Sequence, residues 1–488
     1  MFSEHSRRDR CGRLRRHGWR AWLLAPAALL AACGASQPSH VRPALDVPPA
    51  YKEGVSGSAV WQTAQPQDRV PGAWWTLFAD PALDALQERA ASGNQNVALA
   101  VARLRAARAA LGSASAATLP SVGANASSTR ARSGSTTADG STTARTTTSN
   151  TLGLNAAWEL DLWGRLSGSV DAARASAQAS AEDLAAMRLS VQASVAQTYF
   201  GLRAVEAQQQ LLEETLAAYE RSWELTINRH RAGVASAADV AQAEAQYKST
   251  QVQLLEARTS RAQLEHALAA LTGQAPAAFS MGSTGTLPTP PSVPAQLPSR
   301  LLERRPDIAA AERRVAAANA QIGVASAAFF PSITLSATAG FRGPQLGDLL
   351  SAPHRFWSLG PALAASLFDG GARSAAVESA RATHDQAVAS YRQTVLAALQ
   401  EVEDNLAAAT ALEREQQIQA EAVAAAQRAL DVVTNQYRAG TVGYLNVLSA
   451  QATELSARRS WIDVRNRRLG AVNTLLKNLA GRWETEGE

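Results

Sequence analysis

The stretch Ser332-Ile333-Thr334-Leu335-Ser336-Ala337-Thr338-Ala339-Gly340-Phe341 puts Ile333, Leu335, Ala337, Ala339 and Phe341 in alternation with Ser332, Thr334, Ser336 and Thr338. An extended chain turns successive side chains to opposite faces, so this is a strand with one apolar and one polar side. The next segment repeats the pattern: Trp357, Leu359, Pro361, Leu363, Ala365 and Leu367 alternate with Ser358, Gly360, Ala362, Ala364 and Ser366. Earlier in the chain, Leu152, Leu154, Ala156, Trp158, Leu160 and Leu162 alternate with Thr151, Gly153, Asn155, Ala157, Glu159 and Asp161. Ser121–Ser128 is a weaker fourth case, with Val122, Ala124 and Ala126 against Gly123, Asn125 and Ser127. Strands of roughly ten residues, apolar on one side, with Trp and Phe near the ends, are the transmembrane-barrel pattern. A half-buried soluble sheet would alternate in the same way, and both readings stay open at this level. The connection 128–150, dense in Ser, Thr and Gly, suits an external loop. Four strands cannot close a barrel, and edges facing lipid must be paired. Bacterial barrels start at about eight strands. A membrane reading therefore requires several copies of the chain in a closed ring, each giving four strands.

Long helices flank these segments. From Asp171 to Ala232 the chain holds one Gly, Gly201, and no Pro; from Ser374 to Ala439 it holds neither. About 66 helical residues span ~100 Å, against an average helix of about 11–12 residues. Leu211, Leu212, Leu216, Tyr219 and Trp223 recur at helical spacing and read as a coiled-coil face. Each long helix ends at an Arg-Ala-Gly turn. A returning helix follows, over 236–272 and 444–480.

The chain also repeats itself. His230-Arg231-Ala232-Gly233 returns as Tyr437-Arg438-Ala439-Gly440, 207 residues on. Leu271-Thr272-Gly273 returns as Leu479-Ala480-Gly481, and Arg103…Gly112…Pro120 as Arg314…Gly323…Pro331. A period this long excludes a solenoid unit and means two copies of one large structural half. Each half runs helix, two alternating segments, long helix, returning helix. The first helix falls at about 81–117 in one half and about 306–328 in the other, where Pro306 and Asp307 suit a helix start. Pro-, Gly- and Ser-rich stretches read as a linker between the halves and as an extended N-terminal tether. The resulting division is 1–32 signal peptide, 33–73 lipidated tether, 74–273 first repeat, 274–299 linker, 300–482 second repeat and 483–488 C-terminal tail.

Composition removes several function classes. The chain has 488 residues and a formal charge of +5. Residues 1–32 hold seven Arg against Glu4 and Asp9; without them 47 basic and 42 acidic residues become 40 of each. A neutral remainder carries no basic nucleic-acid footprint. The two cysteines, Cys11 and Cys33, exclude a disulfide framework and any Cys-rich metal site. No phosphate-binding glycine loop or nucleophile elbow stands in a strand–turn–helix context. No apolar run reaches the ~18 residues of a spanning helix. The longest, Ala21–Ala32, follows a basic stretch and reads as the core of a secretory signal. Its end, Leu30-Ala31-Ala32-Cys33-Gly34, resembles the bacterial lipobox. That resemblance implies lipid transfer to Cys33 and cleavage before it, with acyl chains worth ~0.8 kcal/mol per buried CH₂. Gly34, where an Asp would favour inner-membrane retention, favours the outer membrane.

Several strings together resemble the outer-membrane efflux family typified by TolC and OprM, in its lipoprotein (NodT-like) branch. They are Trp74-Trp75-Thr76-Leu77-Phe78, Trp158-Glu159-Leu160-Asp161-Leu162-Trp163-Gly164-Arg165, Glu303-Arg304-Arg305-Pro306-Asp307-Ile308, Phe329-Phe330-Pro331, Phe368-Asp369-Gly370-Gly371 and the two Arg-Ala-Gly turns. The resemblance runs from about Trp74 to Gly481. It implies a mostly α fold with a small transmembrane β part. Three chains would build a 12-stranded barrel continuous with a long α-helical periplasmic barrel. It further implies docking on a periplasmic adaptor joined to an inner-membrane pump of the RND type. Solutes are exported, no reaction is catalysed, and no cofactor beyond the lipid on Cys33 is implied.

By the same resemblance the Arg-Ala-Gly end forms the constricted aperture and the adaptor-docking surface. Gly233 and Gly440 would admit a partner's helix tip, although a helix C-cap also wants Gly. Tyr437 and Arg438 match positions that tie a closed aperture. Leu445 matches a constriction-ring leucine, and Ser449 stands where a ring aspartate is expected, which removes a cation-binding ring. Asp239 could supply a different ring. Glu159 and Asp161 fall on the expected lumen side and would tune the channel. Two other duties suit the same residues: a protein-secretion (type I) duct, and a coiled-coil structural lipoprotein with no channel. The alternating segments weigh against the second.

Overall fold

The computed structural model describes residues 40–45, 51–52, 61–63, 72–136, 142–295 and 305–479. The expected signal 1–32, Cys33 and the 483–488 tail lie outside the described residues. Helices dominate: α1 (Pro81–Gly93), α2 (Gln95–Ala116), α3 (Arg165–Arg231), α4 (Ala237–Leu271), α5 (Pro306–Ala327), α6 (Ala372–Arg438) and α7 (Tyr444–Leu479). The strands are β1 (Trp61–Thr63), β2 (Ser121–Thr136), β3 (Thr142–Leu160), β4 (Val293–Ala295), β5 (Ser332–Gly343) and β6 (Arg355–Ala364). In both halves a strand pair leads into a 67-residue helix and a returning helix. No helix among the described residues is long and apolar enough to cross a membrane.

The chain divides into two compact units. Of the described residues, the first holds those within 40–42, 107–177 and 314–388, and the second holds the others.

The first unit is built on a four-stranded antiparallel sheet in the order β2-β3-β5-β6. The expected loop over 128–150 is corrected: β2 and β3 stay paired from Ser121–Ala157 out to Thr136–Thr142. Ladder bonds need only backbone groups, and β-branched Thr favours extended backbone, so a polar Ser/Thr run extends the hairpin. β6 ends at Ala364, short of the expected Leu367.

Aspartates start both long helices. The Asp161 carboxylate accepts from the Leu166 N–H at 3.0 Å and the Ser167 N–H at 2.7 Å. Asp369 accepts from the Gly371 N–H at 3.0 Å and the Arg373 N–H at 3.2 Å. Both meet donors that a helix start leaves unpaired. Glu159 is taken by a two-bond pair with Arg165 at 3.0 and 2.7 Å. The two carboxylates expected to tune a lumen are thus engaged at a strand–helix junction. Trp163 completes that junction: its ring stacks on Phe330 at 4.9 Å and its Nε1 donates to the Pro331 carbonyl at 2.6 Å.

The second unit explains the remaining strings. Trp74 and Phe78 are buried on a short 3₁₀ turn, and Phe78 packs on Phe200 with ring centres 4.7 Å apart. Asp80 caps α1 and accepts from the Tyr199 hydroxyl at 2.6 Å. Burial and that carboxylate push the Tyr199 phenol up to about 12. The helix expected over 81–117 is broken at Asn94, whose Oδ1 accepts from the Asn96 and Val97 N–H groups and starts α2. The break lies against the end of α4: a Cβ on Gly93 would meet the Thr272 carbonyl. Arg305 forks onto Asp307 at 3.0 and 2.7 Å and reaches Glu401 at 3.0 Å, while Lys477 holds Glu401 at 2.7 Å. A buried pair, Arg203–Glu206 at 2.7 Å, ties α3 to the linker through the Gly282 carbonyl. Further along the linker β4 pairs in parallel with β1.

Candidate functional site

Two places bear on function, one in each unit. The register of the sheet stacks apolar side chains in rows on one face. Leu160, Ile333 and Leu363 make one row, and Trp158, Leu335 and Pro361 the next. Then come Val122, Ala156, Ala337 and Leu359; Ala124, Leu154, Ala339 and Trp357; and Ala126, Leu152 and Phe341 with Arg355 at the end. Leu154, Trp357, Leu359 and Leu363 are 58, 79, 64 and 66% exposed. From Leu160 to Leu152 the strand rises about 27 Å. At the tilt of a membrane barrel this is an upright height of about 21 Å, near the ~25 Å apolar band of such barrels. The opposite face carries Asn125, Asn155, Thr334, Ser336 and Thr338, with the Thr338 and Ser358 hydroxyls 2.7 Å apart. β2 and β6 end the sheet as open edges.

The second place is the pair of Arg-Ala-Gly turns. At the end of α3 the Val234 N–H donates to the Arg229 carbonyl at 2.8 Å and the Gly233 N–H to that of His230 at 2.9 Å. At the end of α6 the Thr441 N–H donates to the Gln436 carbonyl at 3.0 Å and the Gly440 N–H to that of Tyr437 at 3.0 Å. Both are Schellman C-caps, which need a residue in the left-handed region. Gly233 has φ +76° and Gly440 φ +78°. A Cβ at either would meet nothing within 4 Å in this chain, so backbone conformation alone accounts for the glycines.

Between the turns lies a small aromatic core. Tyr437 is buried, edge-on to Tyr444 at 5.6 Å, with Ala243 and Val447 in the same cluster. The guanidinium of Arg229 lies over the Tyr437 ring at 4.6 Å, and its Nη1 donates to the Arg438 carbonyl at 3.4 Å. Trp223 stacks on Tyr247 at 5.5 Å. Burial raises the Tyr444 phenol above its ordinary value, with Tyr437 and Asp239 adding to the rise. The Tyr437 hydroxyl, Trp223 Nε1 and Arg229 Nε are buried with no hydrogen-bond partner among the described residues.

The sequence-derived residues separate on these facts. Tyr437 belongs to the core joining both turns. Arg438 is exposed, and its side chain has no ion pair among the described residues. Leu445, 63% exposed, and Ser449 stand one turn apart on the exposed side of α7. Asp239 forms a capping box with Ser236: it accepts from the Ser236 N–H at 2.9 Å while its own N–H donates to the Ser236 hydroxyl at 3.1 Å. Sequence reasoning missed Arg229 and Tyr444. Arg229 sits two residues before the Arg-Ala-Gly motif, where no pattern flags it. Tyr444 marks the start of α7, a position that sequence alone reads as a helix end.

Comparison with known proteins agrees with this architecture. The profile of the outer membrane efflux protein family matches residues 86–274 and 297–481. The chain is 36% identical over 414 residues to TtgC of Pseudomonas putida, a probable efflux pump outer membrane protein, covering 84% of this chain and 85% of that protein. It is 32% identical over 472 residues to the pyoverdine export outer membrane protein OpmQ of Pseudomonas aeruginosa, covering 95 and 97% of the two. Among solved structures, the outer-membrane channel OprN superposes with a TM-score of 0.85 at 29% identity, covering 92% of this chain and 99% of that one.

Proposed function

The chain belongs to the outer membrane efflux protein family, and from that premise we propose that it is the outer-membrane duct of a tripartite efflux pump. The observation that carries the reading is the two-faced sheet with open edges. Five apolar rows back onto a polar face, and no lipid environment tolerates the unpaired edges of β2 and β6. Two copies would supply eight strands, the smallest bacterial barrel, and three would supply twelve. The family reading selects three. In that trimer the polar face lines the passage, the apolar face meets lipid, and the long helices provide a conduit through the periplasm.

The Arg-Ala-Gly turns then form the periplasmic aperture and meet an adaptor, which links the duct to an inner-membrane RND-type pump. Tyr437 and Arg438 tie the aperture, Leu445 and Ser449 form rings, and Asp239 stands beside them. Cys33 carries the lipid anchor. The protein moves drugs or other small solutes and changes no covalent bond.

Native mass spectrometry of the protein solubilised from outer membranes tests this reading. It requires a trimer, each chain starting at Cys33 and carrying acyl mass. A monomer of the same fold would refute it.

A further inference from the structure

Five arginines stand at the loop end of the sheet, which carries the β2–β3 and β5–β6 connections: Arg130, Arg132, Arg145, Arg342 and Arg355. Among the described residues there, 129–136, 142–149 and 342–356, Asp348 is the one acidic residue. Register sorts the arginines onto two faces. Arg130 lies opposite Thr148 and Arg132 opposite Thr146, in line with Val122, Ala124 and Ala126 on the apolar face. Arg355 lies opposite Phe341, ends the fifth apolar row, and is two residues from the exposed Trp357. Arg145, opposite Ser133, and Arg342, opposite Thr151, belong to the polar face.

Arg130, Arg132 and Arg355 are exposed, and none has an ion pair among the described residues. Their neighbours on that face, Ser128, Thr146, Thr148 and Asn150, are neutral. Arg130 stands about 14 Å along the strand beyond Ala126. An apolar band with Trp357 and Phe341 in its last two rows, Arg355 at the edge of the last row and Arg130 and Arg132 beyond it, none ion-paired among the described residues, follows the order in which a bilayer presents hydrocarbon, interface and anionic headgroups. Guanidinium forks match phosphate oxygens in pairs.

We propose that Arg130 with Arg132, and Arg355 on the other edge strand, bind the phosphate groups of anionic glycolipids in the outward-facing leaflet. The proposal rests on the reading that the apolar face meets hydrocarbon. Each arginine near a charged surface contributes roughly fivefold in affinity; Arg130 and Arg132, on one strand, together contribute on the order of 25-fold for one lipid, while Arg355, three strands away, meets another.

The test uses the purified full-length assembly in detergent micelles. Retention of bisphosphorylated lipid A and of its dephosphorylated form is measured by native mass spectrometry. The expected result is preferential retention of the phosphorylated lipid by wild type. The preference is lost in Arg130→Gln/Arg132→Gln/Arg355→Gln and kept in Arg145→Gln/Arg342→Gln. Equal retention of the two lipids by wild type overturns the proposal without need of any variant. So does equal loss in the polar-face variant. Excess inorganic phosphate that strips the preference assigns a free-anion site and overturns the lipid assignment. Bilayer conductance separates the two levels: a wild type that conducts but shows no lipid preference sinks this proposal alone. A protein that conducts neither as wild type nor as Arg229→Ala sinks the membrane reading and the proposal with it.

Discussion

Arg229, at the end of α3, holds its guanidinium 4.6 Å from the ring centre of Tyr437, at the end of α6. The two residues stand 208 positions apart, each in the last turn of a 67-residue helix. One cation thereby joins the two Arg-Ala-Gly turns. Removing it in Arg229→Ala is expected to cost about 0.5–2 kcal/mol locally. Amide exchange over 436–441 should then speed up severalfold, with exchange in α1 and α2 unchanged. Unaltered exchange at that turn would count against the contact.

Gly440 divides the two duties proposed for the turns. Gly440→Ala places a Cβ in the left-handed region and should cost about 1–2 kcal/mol, seen as increased proteolysis at 439–443. Asn tolerates that region, so Gly440→Asn should keep the turn while adding side-chain bulk. If the turn docks an adaptor, the Asn variant resists proteolysis yet binds adaptor more weakly. Full adaptor binding by the Asn variant would leave the glycine a cap and nothing else.

The sheet faces differ in what they tolerate. Leu359→Arg puts a charge in the middle apolar row and should cost about 2–4 kcal/mol of barrel stability. Ser358→Arg, one residue away on the polar face, should change stability little. Urea titration of the assembled oligomer reads both. Equal costs would mean that neither face meets lipid.

Acid should loosen the second unit through one ion cluster. Burial pushes the Asp307 carboxyl up, but the Arg305 guanidinium outweighs it and holds it below the ordinary range. Glu401 is likewise pushed up by burial, and lowered on balance by Lys477 and Arg305. Folded-state values below the unfolded ones stabilise the fold above the unfolded values, and that stability is lost as pH falls through the folded ones. Melting temperature should therefore fall as pH drops below about 4.5, the ordinary carboxylate range. In Asp307→Asn the acid-sensitive part should shrink, while stability at neutral pH falls by about 1–3 kcal/mol. An unchanged acid profile in that variant would remove the cluster from the account.

Much of this was legible in the sequence, for physical reasons. Period-2 alternation in β3, β5 and β6 is imposed by the apolar face itself, so those strands show plainly. The outer part of the β2–β3 hairpin does not, because Ser and Thr on both faces leave no alternation to read. The long helices show because nothing in 66 residues can stop them. The break at Asn94 is hidden because it depends on the distant Thr272 carbonyl, to which Gly93 comes close. Tyr437 was singled out through the family resemblance, which matches it to an aperture position. Arg229 escaped because a lone arginine in a helix has no pattern, and its meaning comes from the ring of a residue 208 positions away. Asp161 and Asp239 were visible as carboxylates, yet their helix-start contacts follow only from where the helices begin.

The central claim is that the open-edged sheet closes with its copies into a passage through a bilayer. Single-channel recording of the purified oligomer in a planar bilayer tests it most directly, for wild type and for Arg229→Ala, which loosens the turn cluster. The account predicts discrete currents in wild type that open more often or grow larger in the variant. A folded, detergent-stable oligomer that passes no current in either form would contradict it.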